Sequence, residues 1–134
     1  MFNLLIVIFF SFHDICEIKV ISYNIRYDNP KDGINIWDNR KSTIINFLNK
    51  EKPQIIGFQE VTHSQLLFLS EELSSYGFIG VGRDDGKTKG EYSPIFYNKN
   101  NFSLISKSTF WLSPTPEKIS VGWDASMERI CTYA

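Results

Sequence analysis

The chain has 134 residues, enough for one domain with its own core and too few for two, since domains commonly run about 100 to 150 residues. With 43% hydrophobic, 22% charged and 15% aromatic residues, it has the composition of a packed globular protein, which excludes disordered, collagen-like and acidic-tail classes. A formal net charge of -1 gives no global basic excess to attract a polyanion by counterion release, and Cys16 and Cys131 make neither a disulfide framework nor a zinc-site spacing.

Residues Leu4 to Phe12 (LLIVIFFSF) form an apolar run closed by His13 and Asp14. As a helix from Met1 the stretch would span about 18 Å at about 1.5 Å per residue, short of the roughly 30 Å hydrocarbon core. No transmembrane span is therefore expected. The length suits the h-region of a secretory signal peptide, although no Lys or Arg precedes it and no A-x-A-like cleavage site follows. The alternative is a buried first strand. The chain thus divides into an apolar leader over residues 1–16 and a folded unit over 17–134. A cleaved leader makes the protein secreted or extracytoplasmic; otherwise it is cytoplasmic.

Ile18 to Tyr23 (IKVISY) reads as a short buried strand that ends on polar Asn24. A turn-rich loop with Asn29-Pro30 and Asp32-Gly33 follows. The spacing of Ile44, Ile45 and Leu48 predicts a helix from about Asn39 to Glu51, stopped by Pro53. Ile55 to Phe58 is a second strand, again closing on polar residues, Gln59 and Glu60. Thr62 and Gln65 form a capping-box pair ahead of a helix carrying Leu66, Leu69 and Leu73. Beyond Tyr76-Gly77 the character is β. Phe78 to Val81 is a strand, and Gly82 to Gly90 is a charged, Gly-rich loop without an apolar anchor. Ser93 to Tyr97 and Leu104 to Leu112 read as strands paired around a turn at Asn98 to Asn101. Ser113 to Glu117 interrupts the pattern and Arg129 to Ala134 starts a last strand. The order indicates a mixed α/β layered fold.

Asn24 and Glu60 stand at strand ends, where ligands gather in α/β sheets. Spacing alone favours the plainer reading, in which Asn24 caps a turn and Glu60 opens the following helix, whose dipole favours a carboxylate. Glu91 beside Lys89 reads as a loop ion pair, and Arg129 as a side chain covering an apolar edge. Trp37, Trp111 and Trp123 read as packing residues rather than stacking platforms. Tyr97 reads as core or rim packing.

The segment Val20-Ile-Ser-Tyr-Asn-Ile-Arg26, then Trp37 and Arg40, then Ile55-Ile-Gly-Phe-Gln-Glu-Val61, resembles the amino-terminal half of the endonuclease/exonuclease/phosphatase superfamily, the deoxyribonuclease-I-like fold. The resemblance continues in order through Gly82-Arg-Asp-Asp85, Gly90-Glu-Tyr-Ser-Pro-Ile-Phe-Tyr97, Thr109-Phe-Trp-Leu-Ser113 and Arg129-Ile-Cys-Thr132. It implies an incomplete four-layer α/β/β/α sandwich and divalent-metal-dependent hydrolysis of phosphoesters, with Mg2+ or Mn2+ as cofactor. By the same resemblance Glu60 is a metal ligand and Asn24 its neighbour on the metal shell or the scissile phosphate. Glu91 is the carboxylate that orients a catalytic histidine, and Arg129 a substrate-phosphate contact. The substrate is a phosphate ester: nucleic acid, phospholipid or sugar phosphate.

The superfamily mechanism also calls for a later strand ending in a catalytic histidine, an Asp-x-Asn pair and a Ser-Asp-His stretch, and none has a counterpart among these residues. The histidines are His13 and His63, and neither lies where the superfamily places its general base. A chain cut at Ala134 is expected to have little or no hydrolase activity alone, being a truncated product or one half of a split protein with a complementary carboxyl-terminal half. The alternative function is a non-catalytic binding or regulatory remnant.

Overall fold

The computed structural model describes residues 17–134; the apolar leader expected over residues 1–16 lies outside that range. The first half alternates as β1 (Val20–Asn24), α1 (Trp37–Glu51), β2 (Ile55–Gln59) and α2 (His63–Glu72). The apolar residues of α1 recur at helical spacing, so Trp37, Ile44, Ile45 and Leu48 share one buried stripe. The helix starts at Trp37 rather than Asn39, because a 3-10 turn over Gly33–Asn35 runs directly into it through Ile36. It stops at Lys52, whose left-handed backbone sends its N–H to Leu48 O at 2.8 Å, with Pro53 behind it.

The second half supplies β3 (Tyr76–Ile79), β4 (Ile95–Asn98), β5 (Ser108–Trp111) and β6 (Ile130–Tyr133). β3 lies earlier than the sequence predicts. Gly80, at φ +141 and pressed against Pro94, takes the chain out of the strand before Val81. One sheet has the order β1-β2-β4-β3, with β1 and β2 parallel and the remaining pairs antiparallel. α1 is the crossover that a parallel pair requires.

The expected pairing of Ser93 to Tyr97 with Leu104 to Leu112 does not form. A strand has two edges, and those of β4 are taken by β2 and β3. The Asn98 to Asn101 turn, held by Asn101 N–H and Phe102 N–H on Asn98 O, carries the chain away to a second sheet. There β5 pairs antiparallel with β6, Trp111 opposite Ile130.

One face of the large sheet packs on the two helices. Ile56, Phe58 and Phe96 meet Ile44, Leu48, Leu66 and Leu69 in the core, and the Phe58 and Phe96 rings meet edge-on at 5.3 Å. On the opposite face, Ile55, Ile95 and Tyr97 share a cavity with Phe102 to Ser106, while Ile79 shares another with Ser108, Thr109 and Thr132. Helices, large sheet and small sheet are thus the α, β and β layers of a deoxyribonuclease-I-like sandwich. Among the described residues no helix is long and apolar enough to cross a membrane.

Candidate functional site

The parallel register of β1 and β2 sets Asn24 directly opposite Gln59, so the two strands end side by side. Immediately beyond, the backbone turns left-handed after both strands, at Arg26 (φ 61) and Glu60 (φ 57). Non-glycine residues seldom adopt this region, and each such residue stores about 1–3 kcal/mol of strain, which functional sites hold more often than plain loops do. The turn brings Asn24 Nδ2 to donate to Glu60 Oε1 at 2.8 Å. Asn24 Oδ1 accepts from Arg26 N–H at 2.9 Å, and Tyr27 N–H approaches Glu60 Oε2 at 3.4 Å. Asn24 therefore does cap a turn, and with its other end it also orients Glu60.

Arg26 forks onto Asp32 through two bonds of 3.0 Å and stands 3.9 Å from Glu60 Oε2. The hydrogen-bonded Arg26 guanidinium holds the Asp32 carboxyl below the usual carboxylate range, and Asp32 in turn makes Arg26 harder still to deprotonate. Arg40 donates to Ile25 O and Asn35 O at 2.5 Å each, bracing the same loop from α1.

Glu91 reaches the site from the other side. Val61 and Tyr92 exchange backbone bonds of 3.3 and 2.7 Å, which ties the segment after Gly90 to the end of β2. Glu91 does not pair with Lys89. Its Oε2 accepts from Arg83 Nη1 at 3.0 Å, and the Arg83 side chain is only 15% exposed. The Gly82 to Gly90 loop is also anchored, contrary to the sequence reading. Trp111 Nε1 donates to Arg83 O at 2.9 Å, and the indole edge lies where a Cβ on Gly86 would meet it at 3.2 Å. Within the loop, Asp85 Oδ1 accepts from the N–H groups of Lys87 and Lys89 at 2.8 and 2.9 Å. Those bonds, Lys89 first, hold the Asp85 carboxyl below its ordinary range.

Asn24, Glu60, Glu91 and Arg129 line a single cavity of about 240 Å³, together with Gln59, Arg83, Ser93 and Ile130. All four residues singled out in the sequence are therefore neighbours. Arg129 is exposed, and its side chain makes no hydrogen bond or ion pair among the described residues. Sequence reasoning did not single out Arg83 or Ser93; the only signal for Arg83 was its place in the Gly82-Arg-Asp-Asp85 stretch. His63 is not in the cavity. Its Nδ1 lies 2.9 Å from the Tyr92 hydroxyl, which itself donates to Lys87 O at 2.8 Å, so His63 is the donor of that pair. Burial, and then the Asp85 charge, push the Tyr92 hydroxyl pKa up.

The donor set suits a hard divalent cation. Mg2+ is commonly held by one or two carboxylates with substrate phosphate and water completing the shell, and Glu60 and Glu91 are two carboxylates on one cavity. Among the described residues no group of three or more His, Cys, Asp or Glu side chains converges, so the cavity offers a partial cage at most.

One residue departs from the packing expected of it. Trp37 and Trp111 are buried, but Trp123 is 77% exposed and left-handed at φ 51. A bulky residue in that region carries about 1–3 kcal/mol of strain.

No protein-family profile matches the chain. Among solved structures it is similar to the endonuclease/exonuclease/phosphatase from Bacteroides vulgatus, with 45% identity, a TM-score of 0.84, and coverage of 86% of this chain and 44% of that one. A mannosyl-6-phosphatase of Bacteroides thetaiotaomicron is 43% identical with a TM-score of 0.83, covering 87% of this chain and 44% of that one. A probable RNA exonuclease of Saccharomyces cerevisiae is 30% identical over 100 residues, 68% of this chain and 19% of that protein. The chain spans less than half the length of each of these relatives.

Proposed function

From its membership of the endonuclease/exonuclease/phosphatase superfamily, we propose that this chain carries one wall of a divalent-metal-dependent phosphoester hydrolase site. The observation behind the reading is the convergence of Asn24, Glu60, Glu91 and Arg129 on one cavity. Glu60 would offer a hard oxygen to Mg2+ or Mn2+, with Glu91 a second carboxylate on the same cavity, placed to orient a proton-transferring group. What a bound ion supplies is polarisation of a phosphoryl oxygen and a more acidic water.

The remaining roles belong to the chain's own groups. Asn24 fixes the rotamer of Glu60 by donating to Oε1. Arg129 has an unengaged guanidinium among the described residues and supplies a planar fork for phosphate oxygens. Arg83 holds one oxygen of Glu91, so that carboxylate is presented in a fixed orientation. A sugar phosphate is the substrate class favoured. A relative at 43% identity is a mannosyl-6-phosphatase, and the near-zero net charge gives no electrostatic track for a polynucleotide.

The chain alone is proposed to bind without efficient turnover. Proton transfer from the attacking water needs a base within hydrogen-bond reach, and His63 is committed to Tyr92 outside the cavity. That observation also favours the second reading, a non-catalytic binding or regulatory form of the fold. Mn2+ binding followed by electron paramagnetic resonance, run beside hydrolysis of bis-nitrophenyl phosphate and mannose 6-phosphate, tests both. The expected result is Mn2+ binding that Glu60→Ala abolishes, with hydrolysis at background. Metal-dependent turnover lost in Glu60→Ala would overturn the non-catalytic reading. A sample folded by circular dichroism that binds no Mn2+ would overturn the metal assignment.

A further inference from the structure

Arg83 reaches the cavity on a backbone that is tied at both of its polar groups. Its N–H donates to Glu91 O at 3.2 Å, and its carbonyl accepts from Trp111 Nε1 at 2.9 Å. The guanidinium is held as well: Nη1 donates to Glu91 Oε2 at 3.0 Å and Nε to Asp84 Oδ1 at 3.2 Å. Asp84 is in turn seated against Gly90, which has no Cβ to displace its carboxylate.

Two of the three guanidinium nitrogens are thus engaged, and Nη2 makes no hydrogen bond among the described residues. It is not walled in, because among the described residues no side-chain nitrogen is both buried and without a partner. The Arg83 side chain is otherwise largely buried, and the open space it lines is the cavity. Nη2 is therefore the atom it presents there. Arg129 lines the same cavity with its guanidinium unengaged among the described residues. Glu60 and Glu91 repel an anion in that space, so its attraction has to come from directed, pre-oriented donors rather than from net charge.

We propose that Arg83 is a substrate-contacting, specificity-determining residue: its Nη2 donates to the phosphate together with Arg129, and the pair selects a terminal phosphate monoester over a diester. The inference rests on the phosphoester reading of the cavity and deepens it by one residue and one class of ester. A terminal phosphate has three free oxygens and a charge of about −1.5 to −2 at pH 7, whereas a diester has two free oxygens and a single charge. The two guanidinium groups take one oxygen each, and a monoester keeps its third for the Glu60 side of the cavity. A diester, one oxygen short, loses the weaker contact, the single Nη2 of Arg83.

The test is calorimetric titration of the 134-residue chain in Mg2+-free buffer, with folding checked by circular dichroism. The ligands are inorganic phosphate, methyl phosphate and dimethyl phosphate; the proteins are wild type, Arg83→Gln, Arg83→Lys, Glu91→Gln and the Arg83→Gln/Glu91→Gln double variant. Wild type should bind methyl phosphate about tenfold more tightly than dimethyl phosphate. Arg83→Gln should weaken methyl phosphate about tenfold and leave dimethyl phosphate nearly unchanged. Arg83→Lys, which keeps the charge without the fork, should recover part of the loss, and it carries the comparison if Arg83→Gln does not fold. The loss should persist in the Glu91→Gln background, because Arg83 makes the contact itself. An effect of Arg83 that vanishes once Glu91 is replaced would show that Arg83 acts only by orienting Glu91, overturning the proposal and leaving the cavity reading standing. Equal wild-type affinity for methyl and dimethyl phosphate would overturn the selection of a monoester. A folded wild type that binds neither inorganic nor methyl phosphate would overturn the cavity reading and this inference together.

Discussion

Asp85 shows how single residues hold the site together without touching it. Its carboxylate accepts the N–H groups of Lys87 and Lys89 and so gives the Gly82 to Gly90 loop the shape that places Arg83 against Glu91. Those bonds lower the folded pKa below the unfolded one, so their stabilisation is complete above the ordinary carboxylate range and is lost as pH falls through the depressed folded value. In an NMR titration the Lys87 and Lys89 amide shifts should therefore move with a midpoint below 3.8, the ordinary value. They should not move in Asp85→Asn. A wild-type midpoint at or above 3.8 would show that the carboxylate does not hold the loop. Residues of this kind are poorly legible in sequence. Asn24 and Glu60 announce themselves as polar ends of apolar strands. Arg83 pairs with Glu91 across a loop that has no periodicity.

At the level of elements, local chemistry was readable and pairing was not. Thr62 and Gln65 form the capping box that their spacing predicts: Thr62 N–H donates to Gln65 Oε1 at 2.9 Å, and Gln65 N–H reaches Thr62 Oγ1 at 3.5 Å. What spacing does not show is that Gln65 is fully buried and that its Nε2 donates to Arg26 O at 2.9 Å, across 39 positions of sequence. Gln65 thereby joins the start of α2 to the loop after β1, holding Asn24 and Glu60 in register. Thr62→Ala should cost about 1 kcal/mol, the usual worth of a helix cap. Gln65→Leu should cost about 2–3 kcal/mol, because it also removes the bond to Arg26 O and leaves the Thr62 amide without its acceptor. Urea denaturation at unchanged m-value measures both. Equal costs would mean that the bond to Arg26 contributes nothing. The mispaired strands fail for a related reason: the competition of β2 and β3 for both edges of β4 is settled by distant chain, which no local pattern records.

For the whole molecule, the 134 residues that composition reads as one small domain span 44% of relatives at 43–45% identity, and the described residues leave apolar surface exposed. Among the described residues β1 is an edge strand of its sheet, and on it Val20 is 61% exposed. Ile105, on the rim of the apolar cavity of about 480 Å³ beside the large sheet, is 97% exposed. An open edge beside apolar surface is a template for pairing with another chain. The isolated chain should therefore self-associate as its concentration rises, visible as a growing weight-average mass in sedimentation. Charges placed at those two points should oppose it, so Val20→Lys combined with Ile105→Lys should shift the distribution towards monomer. Both side chains are exposed, so the double variant should change folding stability by no more than about 0.5 kcal/mol per site. A wild-type chain that stays monomeric at high concentration would show that the edge and the cavity rim are protected by the molecule itself. A double variant that associates as strongly as wild type would place the sticky surface elsewhere, with Phe47 and Leu67 on the exposed sides of the helices the next positions to charge.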